Sequence, residues 1–304
     1  MYDGSDLVST RGQHRAGRKT SCQSQLLLEK MASEMAETTV PTETSSSNMV
    51  TSHQQFTLHD LDAALPIMQA LFDQTSEMEK ASHYDWTRAD NQVLFRSTFE
   101  DAESLADHFE QVMAPLIEQL LAPEIATRDR YAITGRPTDL ETIKSRLRVL
   151  DAEYFESPQG LQTGDISQAG ADNTGVATAR GTLCTAHPTF KVHNWDMAAP
   201  IVREFIDRTG LEKGCTYFGW ASNGDDLSWH GNYVSGSALR EHFENVKPLI
   251  QALSSGPATL VNLELHGPSI ELDKARASME DIGPVLRFDS DNRVKRLVQR
   301  FEKP

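Results

Sequence analysis

Leu239, Phe243, Val246, Leu249, Ile250 and Leu253 recur at spacings of three and four, with His242 on the same stripe, which predicts a helix over 237–253. Upstream the period is two. Residues 189–193 (TFKVH) and 216–221 (TYFGWA) alternate as strands, Asn223, Gly224 and Asp225 turn the chain, and 227–234 (LSWHGNYV) returns as a third strand. Between the first two strands Asn194 and Asp196 sit in N-cap position, Pro200 is expected in the first turn, and Ile201, Phe205 and Ile206 supply a buried stripe. A fourth strand, 259–265 (TLVNLEL), ends at Gly267 and Pro268. The order is βαββαβ, a ferredoxin-like unit with one antiparallel sheet covered on one face by two helices. A short helix over 270–281 and a last strand over 285–289 follow.

The same switches occur earlier in the chain. Strand 54–59, helix 61–79, hairpin strands 83–87 and 93–99, helix 102–121, strand 130–134, short helix 139–149 and strand 153–156 repeat the order. At a constant offset of 134 residues, His53, Phe56, His59, Asp62, Pro66, Thr75, Trp86, Leu105, His108, Phe109 and Glu110 recur as His187, Phe190, His193, Asp196, Pro200, Thr209, Trp220, Leu239, His242, Phe243 and Glu244. The predicted organisation is therefore an N-terminal tail (1–50), repeat 1 (51–156), a flexible linker (157–185), repeat 2 (186–289) and a C-terminal tail (290–304). The period exceeds that of solenoid units, so each copy is read as a small domain. A sheet with helices on one side leaves its other face bare. That face is expected to carry aromatic and aliphatic side chains and to be covered by the sheet of the other copy.

Composition bounds the rest. The chain has 304 residues and a net charge of −15, which argues against nucleic-acid and anionic-membrane partners because phosphate binding needs clustered Lys and Arg. The Ser-, Thr- and Gln-rich first 50 residues cannot bury enough apolar surface to order and read as disordered. Arg11, Arg15, Arg18 and Lys19 give this tail a faint likeness to an organellar targeting peptide; otherwise the expected compartment is the cytoplasm. Cys22, Cys184 and Cys215 form no CxxC spacing, so no disulfide framework or zinc site is expected. P-loop, GxGxxG, GxSxG and HExxH motifs are absent.

Candidate chemistry lies with recurrent histidines and aromatics. His108 and His242 sit on the second helix of each copy, where an imidazole can shuttle a proton or fix the helix against the sheet. Their neighbours Glu110 and Glu244 lie two residues on and point away, so neither forms a dyad with its histidine. His59 and His193 end the first strand, at the barrel mouth or as caps; His53 and His187 are placed before the strand. Trp220, Trp229, Tyr233 and Asn232 could hold a flat aromatic molecule, although core stacking would give the same sequence.

Glu212, Lys213, Gly214 and Cys215, with Phe218 three residues on, and Tyr233 nine residues before His242, resemble the antibiotic-biosynthesis-monooxygenase type of dimeric α+β barrel. Phe99, Asp101, Leu105 and His108 fit the same spacing in copy one, whereas Glu79, Lys80 and Ala81 depart from the Glu, Gly, Cys pattern. The resemblance covers about 100 residues of each copy. It implies an α+β barrel closed within one chain as a monomeric pseudo-dimer, with a homodimer as the alternative; a linker of this length reaches about 30 Å. It implies a monooxygenase or related oxidoreductase acting without cofactor or metal on a phenol- or quinol-like ligand in an apolar barrel pocket. The implied site residues are His242, Tyr233, Asn232, Trp220, Trp229 and His193. The alternatives are a non-catalytic barrel binding a hydrophobic ligand or haem, and a structural module.

Overall fold

The computed structural model describes residues 48–157, 162–163, 183–279, 282 and 285–289. The expectations for both tails, for Cys22 and for most of the connector fall outside the described residues. The elements follow the predicted order. The first half runs β1 (Val50–Leu58), α1 (Leu61–Ser76), β2 (Ala81–Ala89), β3 (Gln92–Phe99), α2 (Ala102–His108), a π-helical turn (Phe109–Met113), α3 (Ala114–Leu120), β4 (Ala126–Gly135), α4 (Pro137–Leu147) and β5 (Glu153–Glu156). After the two-residue β6 (Gln162–Thr163), the second half runs β7 (Cys184–Val192), α5 (Trp195–Thr209), β8 (Cys215–Asn223), β9 (Asp226–Tyr233), α6 (Gly236–Ser254), β10 (Ala258–Gly267), α7 (Ser269–Met279) and β11 (Val285–Asp289).

Helix starts are set by side-chain caps. Asp60, Asp101, Asn194 and Ser235 each accept a hydrogen bond from the backbone N–H three residues on, which satisfies one of the orphan donors of the first turn. Two expectations need correction. Pro200 is the sixth residue of α5, in its second turn, where its ring removes a bond to the Asp196 carbonyl. β1 and β7 begin at Val50 and Cys184, earlier than expected, so His53 and His187 lie inside strands and β7 starts within the segment read as linker.

Within each half the strands are antiparallel in the order β4-β1-β3-β2 and β10-β7-β9-β8, with β5 and β11 added parallel to β4 and β10. The added strands carry each half to the other: Glu156 of β5 pairs with Ser222 of β8, and Asp289 of β11 pairs with Arg88 of β2. The result is a mixed α+β protein whose sheet curls almost to closure. None of the described helices is long and apolar enough to cross a membrane.

Strand alternation decides what each face buries. Phe56, Trp86 and Phe95 turn toward the first half's helices, as do Phe190, Trp220 and Trp229 in the second, giving two separate apolar cores. A small cluster of Ala132, Phe155 and Ala221 packs across the two halves on the other face, but that face is only partly the aromatic and aliphatic surface expected, because most of the large apolar side chains are committed to the helices. It carries His53, Arg96, His187, His230, Glu264 and His266, all buried. Polar contacts join the halves there. Thr87 Oγ1 lies 2.8 Å from His266 Nδ1, and Thr134 Oγ1 lies 3.2 Å from His230 Nε2. Arg96 is neutralised by Asp85, with Nη2–Oδ2 at 2.5 Å.

Burial disfavours the charged form of these imidazoles. It holds His53, His187 and His230 well below 6.5, with added repulsion from neighbouring histidines or arginines, and lowers His266 to about 4; in the first half's core it lowers His108 to about 3. The unfolded chain therefore binds more protons than the folded one below pH 6.5, so stability is full above that pH and is lost as pH falls toward the folded values. The unfolding free energy from urea titration should be flat above pH 7 and drop between about pH 6.5 and 5, by roughly 1.4 kcal/mol per pH unit for each proton taken up on unfolding, with the urea midpoint falling in step. A midpoint unchanged across that window would contradict the buried neutral histidines. Because the halves share this interior, Leu105→Ala and Leu239→Ala, each fully buried in a different core, should each cost about 2–5 kcal/mol and shift one common transition. Two separable transitions would show that the halves unfold independently.

Candidate functional site

His242 lies on the inner face of α6 and is fully buried. Its Nδ1 is 2.7 Å from Glu212 Oε2, and Asn245 Nδ2 donates to Glu212 Oε1 at 2.8 Å. Glu212 reaches this position because the loop before β8 turns at Gly214, whose φ of +89° is one that L side chains rarely adopt; a Cβ there would also meet Ala238 Cβ at 2.9 Å. A carboxylate only accepts, so Nδ1 carries the proton and Nε2 is left with its lone pair. Nε2 has no hydrogen-bond partner among the described residues. Burial lowers the pKa of His242, opposed in part by Glu212, which keeps the ring neutral and basic near pH 7.

Aromatic rings enclose the imidazole. Trp229 stacks on it at 4.4 Å between centroids with planes 26° apart, and Tyr233 and Phe205 lie at 4.9 Å and 5.5 Å. Trp220 stands behind Trp229 at 6.4 Å and edge-on to Phe205 at 5.1 Å. Both indole N–H groups are buried without a partner, and the Tyr233 hydroxyl has no nitrogen or oxygen partner, with the Cys215 thiol beside it. Burial raises the pKa of both Tyr233 and Cys215, so each stays protonated. Gly231 makes room: a Cβ would sit 2.6 Å from Trp229 Cζ2 and 2.7 Å from the Tyr233 hydroxyl.

Four of the six residues singled out in the sequence thus come together: His242, Tyr233, Trp220 and Trp229. They do so between the sheet and the helices, not inside the barrel. Asn232 faces the opposite side of β9, where its Oδ1 accepts from Thr185 Oγ1 at 2.5 Å. His193 lies at the exposed end of β7, 2.8 Å from Thr259 Oγ1, and His59 makes the same contact with Thr127. Glu212 was read only as part of a resemblance. Its pairing with His242 spans 30 residues, and the acid adjacent on the helix, Glu244, is not the partner.

The first half lacks this constellation. Met78 stands where Glu212 would be, Lys80 replaces Gly214, and Phe95, Ser97 and Phe99 replace Trp229, Gly231 and Tyr233. His108 instead places Nε2 2.7 Å from Thr75 Oγ1, and Ser97 meets Ser52 at 2.8 Å. A histidine held by a hydroxyl that also donates to the Leu71 carbonyl is a structural anchor.

Two groups could interest a cofactor or metal. A haem iron would place a macrocycle across Nε2 of His242, where rings at 4.4–5.5 Å already fill the space, so this histidine does not fit as a haem ligand. Inside the barrel, the ligating atoms of His53, His187 and Glu264 lie within 4.8 Å of one another, a metal-compatible grouping that the sequence reading did not contain.

No family model matches the chain, and no curated protein matches it. Solved structures do resemble it. MupZ from Pseudomonas fluorescens is 20% identical with a TM-score of 0.33, covering 36% of this chain and 85% of its own. A Fusobacterium nucleatum protein provisionally named a monooxygenase is 10% identical with a TM-score of 0.48, covering 72% of this chain and 90% of its own. A haem-binding protein from Thermus thermophilus is 10% identical with a TM-score of 0.39, covering 71% and 89%. At such identities and scores none of them says what this chain does.

Proposed function

We propose that the chain is a small-molecule oxidoreductase of the antibiotic-biosynthesis-monooxygenase type, a pseudo-dimer of two ferredoxin-like units in which the second unit carries the active site. The observation that supports this is the buried Glu212–His242 pair at 2.7 Å, with Nε2 of the histidine unpartnered among Trp229, Trp220 and Tyr233. A buried basic nitrogen with a carboxylate behind it is the arrangement of a general base. The apolar aromatic surroundings suit a phenol- or quinol-like substrate, and the rings around Nε2 must move aside for its hydroxyl or activated C–H to reach the nitrogen.

In this reading His242 takes the substrate proton and Glu212 stabilises the resulting imidazolium. The substrate anion is then electron-rich enough to reduce O₂ directly: one oxygen enters the product as a carbonyl and the other leaves as water, so no added reductant is needed. The Tyr233 hydroxyl and the indole N–H groups are donors for the developing oxyanion.

Oxygen uptake with a panel of hydroquinones and anthrones tests this. Turnover should fall at least about 100-fold in His242→Ala and in Glu212→Gln, the range expected for loss of a general base. His108→Ala, in the other half, should leave it near the wild-type rate. Uptake that survives His242→Ala, or no uptake with any substrate, would contradict catalysis. Saturable binding of the same compounds without uptake would instead select a ligand-binding barrel.

A further inference from the structure

The barrel interior holds a second constellation that the proposed oxidoreductase site does not use. His53 Nε2, His187 Nδ1 and His266 Nε2 lie 3.5, 3.4 and 3.6 Å from a single atom, Glu264 Oε2. These separations are too long for good hydrogen bonds, and both nitrogens of His53, Nδ1 of His187 and Oε2 of Glu264 have no hydrogen-bond partner among the described residues. A buried carboxylate oxygen facing the His53 and His187 imidazoles without a good hydrogen bond to either needs an explanation.

We infer that His53, His187, His266 and Glu264 form a binding site for one divalent transition-metal ion, shared between the two halves of the barrel. Metal–ligand bonds of about 2.0–2.1 Å put neighbouring ligands of a tetrahedron about 3.3 Å apart, close to the spacings around Glu264 Oε2. The ligand set of imidazoles and one carboxylate is that of zinc, iron and related ions rather than of calcium or magnesium. His53, His187 and Glu264 form the compact core, and His266 completes the set from the same strand as Glu264.

The surrounding groups are arranged as metal ligands require. Thr87 Oγ1 holds His266 Nδ1 at 2.8 Å, leaving Nε2 for the ion. Asn262 Nδ2 donates to Glu264 Oε1 at 3.3 Å and so aims Oε2 inward. His230 stacks on His187 at 4.2 Å with planes 26° apart, fixing that ring. The nearby cations are neutralised: Arg96 by Asp85 at 2.5 Å and Arg130 by Glu153 at 2.8 Å. His53, and Thr87 behind His266, come from the first half and the other three ligands from the second, so the ion would also tie the halves together.

The full chain, stripped with EDTA and dialysed, should take up one Zn²⁺ per chain in competition with a chromogenic chelator. With Co²⁺ it should show the ligand-field bands of a low-symmetry nitrogen and oxygen site, without thiolate charge transfer. His187→Ala and Glu264→Gln should weaken Zn²⁺ binding at least 100-fold. Thr87→Val, which removes only the outer contact, should weaken it about tenfold, and the surface change His193→Ala should leave it unaltered. Failure of the wild-type chain to bind stoichiometrically, a thiolate band with Co²⁺, or binding that persists in folded Glu264→Gln would each overturn the inference. The wild-type stoichiometry and Co²⁺ spectrum decide the matter even if a substituted chain fails to fold.

Discussion

The two-residue alternation of the strands governs this molecule. Each strand commits most of its large apolar side chains to the helices of its own half, so two main cores form side by side, and a small third cluster of Ala132, Phe155 and Ala221 packs across the two halves. What remains for the concave face is mostly polar, and polar groups can be buried only where they meet partners. The halves supply those partners to each other. Thr87 with His266, Thr134 with His230 and His53 with Glu264 are contacts that exist only when the sheet curls toward closure. The closure thus rests largely on matched polar groups, beside the small apolar contact of Phe155 with Ala221, and its cost at low pH follows from keeping several imidazoles uncharged.

The same geometry separates two kinds of chemistry. On the helix side of the second sheet, His242 sits among Trp229, Tyr233 and Phe205 with Glu212 behind it. On the barrel side, His187 and His266 face Glu264. Adjacent residues of β9 divide between them: Trp229 and Tyr233 belong to the first group, His230 and Asn232 to the second. Sequence repetition does not carry either group into the first half intact. Met78 in place of Glu212, and Ala132 paired with β1 where Glu264 pairs with His187 of β7, remove one carboxylate from each.

Much of this was legible beforehand and the failures have physical causes. Element order, the caps at Asn194 and Asp101, and the last strands at Glu153–Glu156 and Val285–Asp289 follow from period and cap chemistry, which are local. The grouping of Trp220, Trp229, Tyr233 and His242 follows from strand alternation and the helix stripe. Its side of the sheet did not, because an aromatic fits either a core or a barrel interior. Glu212 escaped because its pairing is made by a loop reaching a helix. His53 and His187 were misplaced because β1 and β7 begin among polar residues, where hydrophobic alternation gives no signal. The recurrence of both histidines at one offset, together with Glu264 and His266 two apart on a strand, was the available clue.

The most direct test of the account is the state of His242, read by nitrogen-15 NMR of the full chain across pH. A neutral ring is predicted at pH 7, with its proton on Nδ1 and a pKa below the ordinary histidine value, and that tautomer preference is lost in Glu212→Leu, which removes the acceptor, while His108 is unchanged. A His242 that is protonated at pH 7, or that keeps the same tautomer without Glu212, would contradict the claim that the second half holds a carboxylate-backed base.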